Sequence, residues 1–252
     1  MSNVTDFPLL VLVLGFFAMW LAARIGAAFA RRRALEPGAR EDFNIVLGAT
    51  LTLLGLIIGF TFSMAISRYD QRKNLEEAEA NAIGTEYVRA DLLPAADAAK
   101  VRTLLRNYLD QRMLFYTTRD ELQLRQINAR TAQLETELWA AVVVPAAAQP
   151  TPMVALAVGG MNDVLNSQGY TQAAWRNRIP IAAWTLMAAI AICCNGLFGY
   201  CARSFKKENL LLLVLPLIVS LAFFLIADID SPRGGVIQLD PENLISLAQS
   251  LR

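Results

Sequence analysis

Four apolar runs constrain this chain more than anything else in it: Phe7 to about Ala30, Asn44 to Ser67, Ile179 to Ala202, and Asn209 to Ala227. Each is on the order of 20 residues, the length a helix needs to cross a hydrocarbon core about 30 Å thick. Hydrocarbon offers the backbone no water to bond, so each run is expected to satisfy its own N–H and C=O groups as a transmembrane helix. Only Arg24 interrupts the first run, close enough to its end for the guanidinium to snorkel toward the interface. That run reads as a span rather than a cleaved leader. No basic segment precedes it, and Trp20 and Arg24 stand where small residues would mark a cleavage site. Hydrophobic residues make up 55% of the 252, and they are bunched rather than periodic, which points to a membrane class.

Residues 68–178, between the second and third runs, are different. They carry basic and acidic residues in equal number, as a soluble segment does, and their periodicity is helical. Val101, Leu104, Leu105 and Tyr108 step by three and four, as do Leu124, Ile127, Thr131, Leu134 and Leu138. Pro94 separates a first helix from one beginning near Asp97. Thr118 with Glu121 is expected to form a capping box for the next. "VVVPAAAQPTP" ends that helix, and Thr151-Pro152 opens another, since proline is tolerated in a first turn. The fold class expected is therefore an all-α integral membrane protein, with four transmembrane helices and a helical soluble insert between spans 2 and 3. Its divisions are 1–67 for the first two spans, 68–178 for the insert, 179–227 for the last two spans and 228–252 for a C-terminal tail. No proline lies between the second span and Pro94, so one helix is expected from Leu53 to Leu92, running out of the bilayer.

The two short loops carry Arg31, Arg32, Arg33 and Arg40, then Arg203, Lys206 and Lys207. The positive-inside rule puts those loops in the cytoplasm, with both termini and the insert outside; Arg68, Arg72, Lys73, Arg176 and Arg178 weigh the other way.

Enzyme chemistry finds little support. Histidine is absent, which removes the commonest general base and metal ligand. There is no phosphate-binding glycine loop and no paired cysteine in a polar setting; Cys193, Cys194 and Cys201 all fall in one apolar run, as packing residues do. No cofactor and no metal are expected. Asp228 and Asp230, too few for a calcium site, read as part of an interfacial turn with Pro232 and Gly234-Gly235. Glu86 and Arg89 are spaced for a helix-surface ion pair, and Glu79 is expected to face a neighbour across Ala78, Ala82 and Gly84. The net charge of +1 gives no ground for a nucleic-acid partner.

On the second span Gly48, Thr52, Gly55, Gly59, Ser63 and Ser67 share a face of small and hydroxyl residues. Such a face suits close helix packing in lipid, and it equally suits a helix that lines a polar path.

The segment "GFTFSMAISRYDQRKNL" resembles the part of bestrophins in which a pore-lining helix ends in Gly-Phe and an Arg-aromatic pair follows, here Gly59-Phe60 and Arg68-Tyr69. The stretches "EAEANAIGTEYVRADLLP", "NDVLNSQGYTQAAWRNRIP" and "DIDSPRGG" resemble more closely the bacterial bestrophin-like family, a membrane family of unknown function, over roughly Gly48 to Leu247. Bestrophins are pentameric anion channels with a neck of three apolar residues four apart. The resemblance implies a neck at Thr52, Leu56 and Phe60, with Thr52 departing from the apolar pattern; the family's polar residues are not matched at Thr61, Phe62 and Ser63, and Ser63 is expected on the pore through the small and hydroxyl face. It implies that Arg68, Arg72 and Lys73 set a positive potential at a pore mouth, although surface anchoring would use the same residues and Glu76, Glu77 and Glu79 follow at once. The expected partners are the lipid bilayer of a bacterial inner membrane, further copies of the chain and inorganic anions. The expected function is an oligomeric anion channel; the alternative is a non-conducting membrane scaffold or sensor whose insert binds a partner.

Overall fold

A computed structural model describes residues 4–32, 37–201 and 211–251. The expected loop charges Arg33, Arg203, Lys206 and Lys207 lie outside the described residues. Every regular element among the described residues is helical: α1 (Pro8–Arg32), α2 (Pro37–Arg89), α3 (Ala95–Thr117), α4 (Glu121–Ala148), α5 (Pro152–Arg176), α6 (Ile181–Cys201), α7 (Leu211–Asp230) and α8 (Glu242–Ser250), with short 3-10 turns at Val4–Asp6 and Ala90–Leu92. Four stretches are long and apolar enough to cross a membrane, and their apolar parts are α1, the first half of α2, α6 and α7.

α2 runs unbroken for 53 residues, from Pro37 at its first turn to Arg89, and a 3-10 turn before Pro94 ends it. Proline cannot donate to the ladder and its ring clashes with the preceding turn, so the helix stops where the sequence places one. Two start signals can be compared. Thr151 caps α5 as expected, its hydroxyl accepting the Val154 N–H at 3.2 Å, with Pro152 next to it. The expected capping box at Thr118 is not formed. Thr118 instead closes α3 in an extended conformation, its N–H bonded to the Leu114 carbonyl. Asp120 caps α4, accepting from the N–H groups of Leu122 at 2.7 Å and Gln123 at 3.1 Å. The connection is two residues longer than the box allows, and a carboxylate beside the first turn is as good a cap as a hydroxyl.

The chain divides into two compact units. One comprises Met1–Tyr69 and Arg178–Gln238, the other Asp70–Asn177 and Leu239–Arg252. In the first, α1 packs on α6 and α7. The approach of α1 to α6 depends on glycine. A Cβ at Gly26 would lie 2.0 Å from the Gly196 carbonyl oxygen, and one at Gly199 would lie 1.9 Å from that of Ala23. Small residues let helix backbones approach this closely in lipid, where dispersion rather than water exclusion drives association. Met19, Met187, Ala191, Cys194 and Ile226 fill the core beside them.

The turn after α7 is built on its two aspartates. Asp228 accepts the N–H groups of Val236 at 2.7 Å and Ile237 at 2.8 Å. Asp230 accepts the Ile179 N–H at 3.2 Å and the Arg178 Nε at 3.0 Å. Both carboxylates hold backbone in place, as the turn reading expects.

In the second unit α3 packs on α4 and α8, and α4 on α5. Val101, Leu105, Tyr108, Leu134, Leu138 and Val142 are buried, so the three-four spacing of α3 and α4 faces inward. The C-terminal segment divides between the units. Residues from Leu239 on belong to the second, where the Glu76 carboxylate accepts the Leu244 N–H at 2.9 Å and the Asn243 side chain at 2.6 Å at the start of α8.

Candidate functional site: the uncovered face of α2

The apolar half of α2 has two unlike faces. Leu54, Thr61 and Ala65 are buried, and Ile57, Ile58 and Phe62 pack beside them against the core of the first unit. The Thr61 hydroxyl is satisfied within the helix, donating to the Ile57 carbonyl at 2.8 Å. On the other side Thr52, Leu56, Phe60 and Ser63 are all exposed, Leu56 by 54% and Phe60 by 65%. Gly48, Gly55 and Gly59 are exposed with them, and a Cβ added at any of the three would meet nothing within 4 Å. The helix therefore presents a continuous strip of small, hydroxyl and large apolar residues that its own chain leaves bare. Thr52 turns its hydroxyl inward along the helix, donating to the Gly48 carbonyl at 2.9 Å, so its methyl contributes to the strip.

The three basic residues expected together at the end of this strip are not equivalent. Arg68 is mostly buried, and its Nη1 lies 3.5 Å from Asp230 Oδ1. The same aspartate holds Arg178, which also reaches Asp6 at 3.0 Å. Arg72 is 1% exposed and turned into the second unit, its Nε donating to the Ala174 carbonyl at 3.4 Å. Lys73 alone of the three is exposed. Asp230 and Asp6 as counter-charges have no sequence signal, being far along the chain from Arg68 and from each other.

Of two further expectations about α2, the contact of Glu79 with a neighbouring element holds and the surface pair of Glu86 with Arg89 is corrected. Glu79 is fully buried and faces α3 and α5: it is salt-bridged to the Arg112 guanidinium and accepts hydrogen bonds from Tyr116 at 3.1 Å and Thr171 at 3.2 Å. Arg112 lies over the Phe115 ring at 4.5 Å, and Trp175 packs edge-on against Phe115 and Tyr116. A buried ion pair with this many hydrogen bonds reads as structural. Glu86 forms no surface pair with Arg89. It is 0% exposed, neither carboxylate oxygen has a hydrogen-bond donor among the described residues, and it lies where a Cβ at Gly160 of α5 would sit 2.1 Å away. Burial pushes its carboxyl up to about 8, against the pull of Arg89 and with some help from Asp163.

A family model for the bestrophin-like domain matches residues 10–244, nearly the whole chain. The chain belongs to the bestrophin-like family. Its fold is that of a bacterial bestrophin homologue from Klebsiella pneumoniae, with a TM-score of 0.64 at 14% identity over 96% of both chains. A single-substitution variant of that homologue gives 0.63 at 15% identity over 97% of both. A further crystal structure, described as a membrane protein, gives 0.65 at 13% identity over 95% of this chain and 97% of the other. No curated protein matches by sequence. At such identities the likeness carries the fold and no residue roles. With four helices apolar enough to span, the bestrophin-like chain is an integral membrane protein.

Proposed function

We propose that this bestrophin-like chain is one subunit of an oligomeric ion channel in a bacterial inner membrane, passing anions along α2. The observation that carries the reading is the bare strip on α2: a membrane helix with one face packed into its own chain and the other, Thr52 to Ser63, left for a pore or for a second copy. Residues four apart rise about 6 Å, so Thr52, Leu56 and Phe60 repeated around an axis would form successive constrictions. An apolar constriction excludes water and gates by dewetting, and Phe60 is its largest member. The pentamer is what the resemblance to bestrophins implies. Anion preference then rests on Lys73, because Arg68 is shared with Asp230 and Arg72 is buried. The loop charges favour cytoplasmic loops and an external, soluble 68–178 segment. A cysteine at Gln123 in a cysteine-free background should then react with an impermeant thiol reagent in intact cells; reaction only after permeabilisation reverses the orientation.

The same strip would serve a non-conducting scaffold whose copies meet through Gly55 and Gly59, and ion flux separates the two. The purified oligomer in liposomes should conduct, and Phe60→Ala should raise flux several-fold by opening the constriction. Ile218→Ala, on an exposed face of α7, should leave flux unchanged. An intact Phe60→Ala oligomer with unaltered flux removes the neck, and a wild-type oligomer with no flux leaves the scaffold.

A further inference from the structure

Arg24 breaks the apolar run of α1, eight residues short of Arg32 and so about 12 Å from that end of the helix. A guanidinium at that depth is costly unless a counter-charge or polar headgroup meets it. Its Cζ lies 5.7 Å from the centre of the Trp20 ring, which covers one face of the cation. Its side chain is exposed, and no carboxylate or carbonyl acceptor meets it among the described residues. Beside it lies a groove of about 370 Å³ lined by Phe16, Phe17 and Trp20 of α1 and by Leu212 and Leu213 of α7, with Arg24 its one charged member among the described residues.

An apolar trough with one cation at its end, unpaired among the described residues, fits an amphiphile of complementary form, with a hydrocarbon chain and an anionic head. Within the apolar runs of α1, α2, α6 and α7 the chain holds no acidic residue before Asp228, and Asp228 is taken by the turn that follows it, so a second copy offers a carboxylate only beyond those runs, at Glu41 and Asp42 of α2. We propose that the groove between α1 and α7 holds an anionic phospholipid of the surrounding bilayer, its acyl chain against Phe16, Phe17 and Leu213 and its phosphate on Arg24. Trp20 sits between the two, with an apolar ring for the chain and an indole N–H for the headgroup region. Basic pockets between transmembrane helices select anionic headgroups in this way. The site is independent of whether the protein conducts.

The test is lipid retention. Protein reconstituted in vesicles of equal phosphatidylglycerol and phosphatidylcholine is extracted in mild detergent, and the lipid that stays bound is counted by native mass spectrometry. The wild type should retain phosphatidylglycerol in preference, and Arg24→Gln should reduce that preference about fivefold. Arg24→Lys should keep most of it. Leu213→Trp, which fills the trough and leaves the charge, should lower retention of both lipids, and it decides the matter if Arg24→Gln does not assemble. No preference in the wild type, or retention unchanged in Arg24→Gln or in Leu213→Trp, overturns the site. So does a loss of oligomer mass in Arg24→Gln with lipid retention intact, which would make the groove a contact between copies.

Discussion

Gly199→Ala is expected to destabilise the protein, and its neighbour Gly196→Ala is not. A Cβ at Gly199 would lie 1.9 Å from the Ala23 carbonyl oxygen, 2.7 Å from its carbon and 2.8 Å from its Cα. A carbon–oxygen contact needs about 3.3 Å, so α1 and α6 must part by roughly 1.4 Å. A gap of that size forfeits about half of the dispersion energy between the facing atoms, along the length where Gly26 also touches Gly196. Overpacking costs about 1–3 kcal/mol, and the upper end applies because the obstacle is main chain and cannot swing aside. The better helix propensity of alanine offsets up to ~1 kcal/mol of this. At Gly196 the added Cβ would meet its nearest atom, the Ala22 carbonyl oxygen, at 3.9 Å, an ordinary contact. That substitution keeps the propensity gain and loses nothing. The pair should differ by about 2–3 kcal/mol, or about 4–12 °C in apparent melting temperature for a chain of this size. Both variants are melted in the same detergent at the same heating rate. Equal melting temperatures, or the lower one in Gly196→Ala, would refute the claim that α1 and α6 meet at Gly199.

Other consequences can be measured beside it. Gly59→Leu adds bulk where the chain itself has nothing within 4 Å, so it should leave the protomer folded and reduce the oligomer mass in mild detergent; an unchanged mass takes that face out of assembly. With the Glu86 carboxyl raised from 4.5 to about 8, the folded chain holds a proton that the unfolded chain releases, so stability falls as pH climbs through that window and levels off above it. Glu86→Gln should flatten this fall, as read by melting temperature from pH 5 to 9, and a profile identical to the wild type would mean that Glu86 is solvated. Arg112→Met strands the buried Glu79 carboxylate and should cost about 3–5 kcal/mol, whereas Glu79→Met combined with it should recover most of the loss. A double variant as unstable as the single one would show that packing around Arg112, not the charge, is what matters.

The sequence by itself determined the elements and the places they stop. The four apolar runs, the long uninterrupted α2 and the helix start at Thr151-Pro152 follow from transfer into hydrocarbon, proline sterics and cap chemistry, all of which act over a few residues. The buried stripes of α3 and α4 were legible for the same reason, since 3.6-residue periodicity is local. What a polar side chain meets is set by distant parts of the chain, and only the tertiary structure decided it. Arg68, Arg72 and Lys73 sit within two turns of one helix, yet one pairs with Asp230, one is buried near Ala174 and one remains exposed. Glu79 and Glu86, two turns apart on α2, are both buried; one meets Arg112, Tyr116 and Thr171, and the other meets no donor among the described residues. Spacing along a helix fixes which residues share a face. Whether that face is covered, and by what charge, depends on helices that pack against it from elsewhere in the chain.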